Sequence, residues 1–273
     1  MHARSALFDL YGDHLRSRGG SAPVAALIRL LAPLGIRPPA VRTAVSRMVT
    51  QGWLAPVEID DGSAQAPGYA LTARARVRLD QAATRIYRTD SAEWDGLWHV
   101  RVLAPITERR RRERIRGQLR FLGLAPISDS TWVSPRASLE VDQLLRDEGL
   151  PAVSLTTADV APLSVLLEAF DVDALADEYD AWRAGAADLV SRTDVAGDRE
   201  SDDRAAFVVR SELLHSWRKF LFSDPGLPAS LLPADWPGRR AAAFFDEHAT
   251  RLLPAANRFI DRCLTPTEAG ART

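Results

Sequence analysis

The sequence predicts an α+β protein of several domains, and three patterns carry this prediction. Near the amino terminus, helical segments separated by a tight turn precede two strand-like segments, the order of a winged helix-turn-helix. The middle of the chain runs strand, helix, strand, strand, helix, strand, the order of a ferredoxin-like fold. The remainder has helical periodicity. The predicted domains are a winged helix-turn-helix at 1–88, a ferredoxin-like domain at 93–170 and an α-helical domain at 171–273.

Composition is that of a folded protein without a membrane partner. Hydrophobic residues make up 46% of the chain and charged residues 26%, which is typical of globular proteins. No apolar run approaches membrane-spanning length, and the start of the chain lacks a signal-peptide core. We therefore expect a cytoplasmic protein. The single cysteine, Cys263, excludes an internal disulfide and a cysteine-based zinc site.

A first helix is predicted at residues 6–15, followed by a basic turn at 16–20. Arg16 and Arg18 in this turn have two interpretations. They could hold DNA phosphates beside a recognition helix, or they could be charges favoured by the dipole at the end of the first helix. A second helix is predicted at 23–34, closed by a turn that ends at Gly35.

The third helix is the most informative segment. Pro39 suits the first helical position and disfavours helical conformation at Pro38, and Gly52 suits a left-handed stop after the last turn. One face is apolar, whereas the other carries arginines and hydroxyls and no acid. Such a face suits a major-groove reader, although a solvated basic face would look the same. The residues predicted to bind DNA are Arg37, Arg42, Thr43, Ser46 and Arg47, together with Arg16 and Arg18.

A hairpin and a charge gradient support the DNA-binding interpretation. Residues 54–59 and 68–71 read as strands around a turn at 60–63, and Thr72 caps a further helix that runs to about residue 88. Residues 1–90 carry 12 arginines against 7 acids, whereas residues 171–273 carry 13 basic residues against 18 acids. A basic amino-terminal module on a more acidic remainder fits a DNA reader attached to sensing and dimerising parts.

Two basic features lie outside this module. The run Arg109–Arg112 opens the first helix of the middle domain and is either a phosphate-binding surface or a solvated face. Arg210 lies at the centre of the apolar face of a helix predicted at 204–222. Since a guanidinium is not left buried without a partner, either an acid from another helix or an anionic ligand is expected to meet it.

Several motifs occur in a characteristic order: Arg-Ser-Arg-Gly-Gly at 16–20, Ala-Val-Arg-Thr-Ala-Val-Ser-Arg at 40–47, Gly-Trp-Leu at 52–54, Trp-Asp-Gly at 94–96, Trp-Val-Ser-Pro at 132–135 and the tail at 232–240. On these motifs the chain resembles the PaaX-like family, repressors of phenylacetic acid catabolism in bacteria. The resemblance implies a winged-helix domain, a Cas2-like ferredoxin domain and a helical domain in a homodimer. It also implies binding to a double-stranded DNA operator and release by phenylacetyl-CoA or a related acyl-CoA.

A second set of candidate residues follows from the expectation that an acyl-CoA binds the protein. Because CoA carries phosphates, its site should place arginines beside an apolar surface. Arg210, Trp217 and Arg218 meet that description, and Arg109–Arg112 are the second choice. We expect no bound cofactor.

The main alternative is a Cas2-like metal-dependent nuclease. Such enzymes place an acid near the end of the first strand, where this chain has Val-Leu-Ala-Pro at 102–105. Metal-assisted cleavage needs hard oxygen ligands. A third possibility, an acyl-CoA-processing enzyme, lacks support because the chain has no Gly-x-Ser-x-Gly motif. No catalytic or metal site is predicted, so we expect the protein not to be an enzyme.

Overall fold

The computed structural model describes residues 1–60, 65–87, 94–160, 162–192 and 199–265. The chain divides into two compact units. Unit 1 combines Met1–Thr89 with Trp182–Trp217 and Ala242–Thr273, and unit 2 combines Asp90–Ala181 with Arg218–Ala241. Residues 171–273, predicted as one helical domain, contribute to both units. The division into three domains stays a prediction.

The first helix of unit 1 changes form along its length. Helix α1 spans Ala3–Leu10, continues as a π-helical turn at Tyr11–Leu15 and ends in a 3₁₀ turn at Arg16–Arg18. The helix predicted at 6–15 is therefore present, with a widened last turn. Strand β1, Ser21–Pro23, follows. The sequence did not predict it, because three residues are too few to show alternation and the strand exists only through its pairing with a later one.

Two further helices follow. Helix α2 spans Val24–Leu31 and α3 spans Pro38–Thr50, with a 3₁₀ turn at Ala32–Leu34 between them. The prediction that Pro38 precedes the helix is wrong, since the extended residue is Arg37 (φ −75°, ψ 150°) and both prolines occupy the first turn. The first four N–H groups of a helix have no intrahelical acceptor, so two prolines there remove no hydrogen bond.

The wing completes this part of unit 1. Strands β2, Leu54–Asp60, and β3, Gln65–Leu71, form an antiparallel hairpin, and β1 pairs with the other side of β3. Helix α4, Ala73–Ile86, is capped as predicted by Thr72. The order is that of a winged helix-turn-helix. Of the predicted turn at 60–63, the first residue belongs to β2 and residues 61–63 lie outside the described residues.

Unit 2 confirms the ferredoxin-like fold. Its antiparallel sheet has the order β5 (Ala125–Pro126), β6 (Thr131–Ser134), β4 (Trp98–Leu103), β7 (Ala152–Thr157). Trp132 packs with Ile115 on one face of the sheet, and the next residue, Val133, packs with Leu166 on the other. The elements are β4 (Trp98–Leu103), α5 (Arg109–Phe121), β5 (Ala125–Pro126), β6 (Thr131–Ser134), α6 (Leu139–Asp147), β7 (Ala152–Thr157) and α7 (Leu163–Ala169). The seven-residue α7, which contributes Leu166, was not predicted.

The carboxyl-terminal part of the described chain is helical. Residues predicted as one helix at 204–222 form two, α9 (Glu200–Trp217) and the short α10 (Phe220–Ser223). The four helices are α8 (Val172–Ser191), α9 (Glu200–Trp217), α10 (Phe220–Ser223) and α11 (Pro237–Leu264).

A core cluster of unit 1 includes residues from both ends of the chain. Phe207 of α9 and Ile260 of α11 are buried in the same cluster as Leu7 of α1 and Met48 of α3. Burial of apolar surface is the main stabilising contribution to folding. Helices α9 and α11 therefore support the winged helix-turn-helix directly.

Candidate nucleic-acid interface

Helix α3 has one buried face and one exposed face, as its sequence predicted. Val41, Val45 and Met48 are at most 1% exposed and belong to the core of unit 1. The opposite face is in solvent, and α3 contains no acidic residue. Its exposed side chains include Arg42, Thr43, Ser46, Arg47 and Thr50, and Arg37 is exposed just before the helix.

Short contacts determine where α3 ends and where the wing begins. Gly52, with a φ of 71°, donates its N–H to the Val49 carbonyl, 2.9 Å away. The Gly52 carbonyl accepts a 2.8 Å hydrogen bond from the Thr72 hydroxyl. The Trp53 ring packs edge-on against Phe8 of α1, with ring centroids 4.7 Å apart. These contacts connect the end of α3 to α1 and to the start of α4, so the exposed face of α3 has a defined orientation in unit 1.

The two arginines of the basic turn each have a carboxylate partner. Arg16 Nη1 lies 2.5 Å from Asp80 Oδ1 on α4, and Arg18 Nε lies 3.0 Å from Asp261 Oδ1 on α11. Both arginines are half-buried. To bind a DNA phosphate, either side chain would have to exchange a carboxylate for it. Their role in phosphate binding stays a prediction.

Of the two partners expected for Arg210, the structure shows the acid. Arg210 is 4% exposed, and its Nη1 donates a short hydrogen bond to Asp13 Oδ2 in the π-helical turn. Its Nε donates to the Ala249 carbonyl at 3.0 Å, and its Nη2 lies 3.5 Å from the Tyr87 hydroxyl. Tyr87 in turn donates a short hydrogen bond to Asp13 Oδ1. Burial lowers the pKa of Arg210 to about 10, so the group remains charged at neutral pH.

The remaining residues predicted to bind an effector lie in different surroundings. Trp217 is buried, stacks on Phe245 with ring centroids 5.0 Å apart and donates its indole N–H to the Ile86 carbonyl at 3.2 Å. Arg218 is half-buried and belongs to unit 2, and burial lowers its pKa. Their role in effector binding stays a prediction.

The arginine run of α5 is divided between exposed and half-buried side chains. Arg109 and Arg110 are exposed, Arg112 donates to the Ile106 carbonyl at 3.1 Å, and Arg111 hydrogen-bonds to the Glu148 carbonyl. Two of the four arginines therefore bind atoms of unit 2 itself, and the choice between a phosphate-binding surface and a solvated face stays open.

Sequence reasoning missed the acids of the first helix. Asp9 and Asp13 are four residues apart among buried Leu7, Leu10 and Tyr11, and Asp9 is only 5% exposed. Asp9 Oδ2 lies 2.8 Å from His215 Nδ1 of α9. Acids on an otherwise apolar helical face were the signal, because buried carboxylates require partners.

A buried histidine in the π-helical turn predicts acid sensitivity. Burial, with a smaller contribution from the Arg18 charge, lowers the pKa of His14 from 6.5 to about 3. Asp13 Oδ2 lies 3.0 Å from His14 Nε2 but outside hydrogen-bond geometry, and its charge is taken up by Arg210. Because the folded-state pKa is below the unfolded one, the unfolded chain binds the extra proton at pH values between them. Stability then falls as the pH drops from about 6.5 towards 3.

We expect His14 to contribute a loss of about 2 kcal/mol in the free energy of unfolding between pH 8 and pH 5. Urea unfolding of wild type and His14→Gln at both pH values measures this contribution as a difference. His2→Gln, which changes an exposed histidine near the same helix, is the control. Equal pH dependence in wild type and His14→Gln would contradict the prediction.

No group of three or more His, Cys, Asp or Glu side chains arranged to hold a metal ion occurs among the described residues. Strand β4 ends at Leu103 and is followed by Ala104 and Pro105, without an acid. Among the described helices, none combines the length and the hydropathy of a membrane-spanning segment.

Comparison with known proteins extends over nearly the whole chain. Family models match residues 2–75 as PaaX-like protein, 91–165 as the PaaX protein central Cas2-like domain and 170–262 as the PaaX-like protein C-terminal domain. The Escherichia coli (strain K12) transcriptional repressor PaaX is 29% identical over 265 residues, which cover 94% of this chain and 82% of that protein. A solved structure of the uncharacterised protein Rv0674 from Mycobacterium tuberculosis is 27% identical, with a TM-score of 0.59, covering 96% of this chain and 98% of that one.

Proposed function

We propose, since this chain belongs to the PaaX-like family, that it is a transcriptional repressor of phenylacetic acid catabolism whose α3 helix reads operator DNA. The observation that most supports this proposal is the exposed, acid-free face of α3. The repressor named PaaX supports the coarser assignment over most of its length.

The chemistry of α3 supports the choice of reading residues. Arg42 and Arg47 can donate forked hydrogen bonds to guanine or phosphate, and Thr43 and Ser46 are short enough for the helix backbone to approach the groove closely. Arg37 lies at the amino-terminal end of the helix, the end that usually contacts base edges in helix-turn-helix proteins. An acid on this face would repel the phosphates, and α3 has none.

We propose that two copies bind one operator with two-fold symmetry. Helix-turn-helix repressors commonly place two recognition helices in successive turns of the major groove, about 10 base pairs or a multiple apart. Strand β7 supports self-association because it is an edge strand and its Val153 and Leu155 side chains are 59% and 52% exposed. The unpaired backbone groups of such an edge can pair with another strand.

An acyl-CoA such as phenylacetyl-CoA is the effector that we propose. Release requires that the thioester bind more tightly to a conformation that fits the operator poorly than to one that fits it well. No other cofactor is part of the proposal.

Replacing Arg47 by alanine is expected to weaken operator binding by about 1–3 kcal/mol, roughly 5- to 150-fold in Kd, because a base-reading arginine is lost. Fluorescence anisotropy with labelled DNA from the protein's own promoter measures Kd and the number of chains per duplex. An unrelated duplex measures the loss of specificity.

Arg204→Ala, which removes an exposed arginine from α9, is the control variant. Equal operator affinity of Arg47→Ala and wild type would remove Arg47 from the reading face. Absence of wild-type binding to the promoter in preference to the unrelated duplex would contradict the proposed function itself.

A further inference from the structure

Unit 1 contains a cavity of about 360 Å³ that is partly open to solvent. One wall comes from the amino-terminal part of the chain and includes Asp13, Ser17 and Arg18. The other comes from the helices near the carboxyl terminus and includes Arg210 of α9 and Asn257 of α11. The volume is at the lower end of the range for small-molecule sites. The two walls join the winged helix-turn-helix to the helices that complete its core.

The charges of the cavity balance. Arg18 and Arg210 are matched by Asp13 and Asp246, and Arg210 and Asp13 bind each other directly. A free carboxylate or phosphate entering the cavity would therefore meet two acids as well as two arginines. A neutral group avoids this repulsion and does not have to lose the hydration shell of an ion. The lining thus favours a neutral ligand over an anionic one.

The cavity also offers apolar surface and polar groups that are not fully used. Ala249 and Leu253 of α11 line it. Asn257 Oδ1 is buried and accepts no hydrogen bond among the described residues. Rotation of the Asn257 amide about its last side-chain bond would turn its N–H groups to the same place. Arg210 Nη2 makes a long contact, 3.5 Å to the Tyr87 hydroxyl. An acceptor oxygen on a ligand could accept a hydrogen bond from Arg210 Nη2 or from the rotated Asn257 amide.

The cavity wall is connected to the DNA-reading part. Asp13 lies in the π-helical turn between Tyr11 and Leu15, and π-helical turns occur frequently at functional sites. The Tyr11 hydroxyl donates a 2.8 Å hydrogen bond to the Tyr69 carbonyl in β3 of the wing. Leu15 is fully buried in the same core cluster as Met48 of α3. A ligand that changes the contact between Asp13 and Arg210 therefore acts on a segment packed against both the wing and α3.

We infer that this cavity binds a neutral apolar group tipped by an acceptor oxygen, and that binding there weakens the hold on DNA. This rests on the proposed function, in which the group is the acyl end of the thioester effector. The CoA moiety extends through the opening, since the cavity is too small to enclose it. The free acid, ionised at neutral pH, is a poorer ligand than the thioester.

The test blocks the opening with a large side chain. Thr250 is an exposed residue of α11 that lines the cavity, and the next residue, Arg251, is exposed and does not line it. Thr250→Trp and the matched control Arg251→Trp are titrated by calorimetry, without DNA, with phenylacetyl-CoA, sodium phenylacetate and CoA. Ser17→Trp narrows the opening from the opposite wall, and it tests whether the effect of Thr250→Trp comes from blocking the cavity rather than from the loss of Thr250. Thermal unfolding establishes that each variant is folded.

We expect phenylacetyl-CoA to bind wild type at least tenfold more tightly than phenylacetate or CoA. Thr250→Trp and Ser17→Trp should each weaken the binding of phenylacetyl-CoA at least tenfold. They should raise by the same factor the concentration of phenylacetyl-CoA that releases operator DNA. For Arg251→Trp, both values should stay within twofold of wild type. Unchanged binding in both cavity variants overturns the inference, as does phenylacetate binding equal to phenylacetyl-CoA binding or no binding of phenylacetyl-CoA to wild type. Operator affinity without ligand is measured separately, so a failure of the proposed repressor function is distinguished from a failure of the cavity assignment.

Discussion

Asp13→Ala is expected to lower the free energy of unfolding by about 3–5 kcal/mol, because it leaves the Arg210 guanidinium buried without its carboxylate. The two side chains are 4% and 5% exposed. Arg210 cannot escape the cost by losing its proton at neutral pH, since its pKa, although lowered by burial, is about 10. Tyr87 would also lose the acceptor of its hydroxyl proton. Urea unfolding followed by tryptophan fluorescence measures the change.

Two variants distinguish the cost of leaving a buried arginine unpaired from the cost of removing a carboxylate in general. Asp80→Ala breaks the more exposed pair with Arg16 and should cost no more than about 1 kcal/mol. Combining Asp13→Leu with Arg210→Met removes both buried charges and should recover most of the stability lost in Asp13→Ala. A cost for Asp13→Ala as small as that of Asp80→Ala would show that the pair does not hold α9 against the first helix.

Phe207→Ala is the second large effect that we expect, a loss of about 3–5 kcal/mol in the free energy of unfolding. Phe207 is 1% exposed, and its ring lies 5.0 Å from that of Phe259 and 5.8 Å from that of His14, measured between centroids. Truncation would open a cavity in the core shared by α9, α11 and the winged helix-turn-helix. Because α3 is part of that core, operator affinity should fall as the folded fraction falls.

Phe222→Ala is the matched control, since Phe222 is 55% exposed on α10. Its truncation should cost less than about 1 kcal/mol, as surface substitutions generally do. Similar losses in the two alanine variants, measured by the same urea unfolding, would contradict the shared core of unit 1.

The acid-free face of α3 was predictable because helical periodicity is a local property. Val41, Val45 and Met48 recur on one side of any helix that these residues form, so Arg42 and Arg47 must lie away from them. The left-handed stop at Gly52 follows from an equally local rule of backbone conformation, whereas the start of the helix was predicted one residue too late. The order of strands and helices in the ferredoxin-like unit could be predicted in the same way. Strand β1 and the seven-residue α7 could not be predicted, because such short elements have too few residues to show a period.

The sequence by itself determined which face of α3 meets solvent, how the wing follows it and that the middle of the chain alternates as a ferredoxin-like fold. Only the tertiary structure decided that Asp13 meets Arg210, 197 residues later, and that α9 and α11 complete the core around α1 and α3. A charged residue on an apolar helical face indicates that a partner is needed, but the sequence does not indicate which residue that partner is. The partner depends on how elements distant in the sequence pack together, and local periodicity carries no information about this.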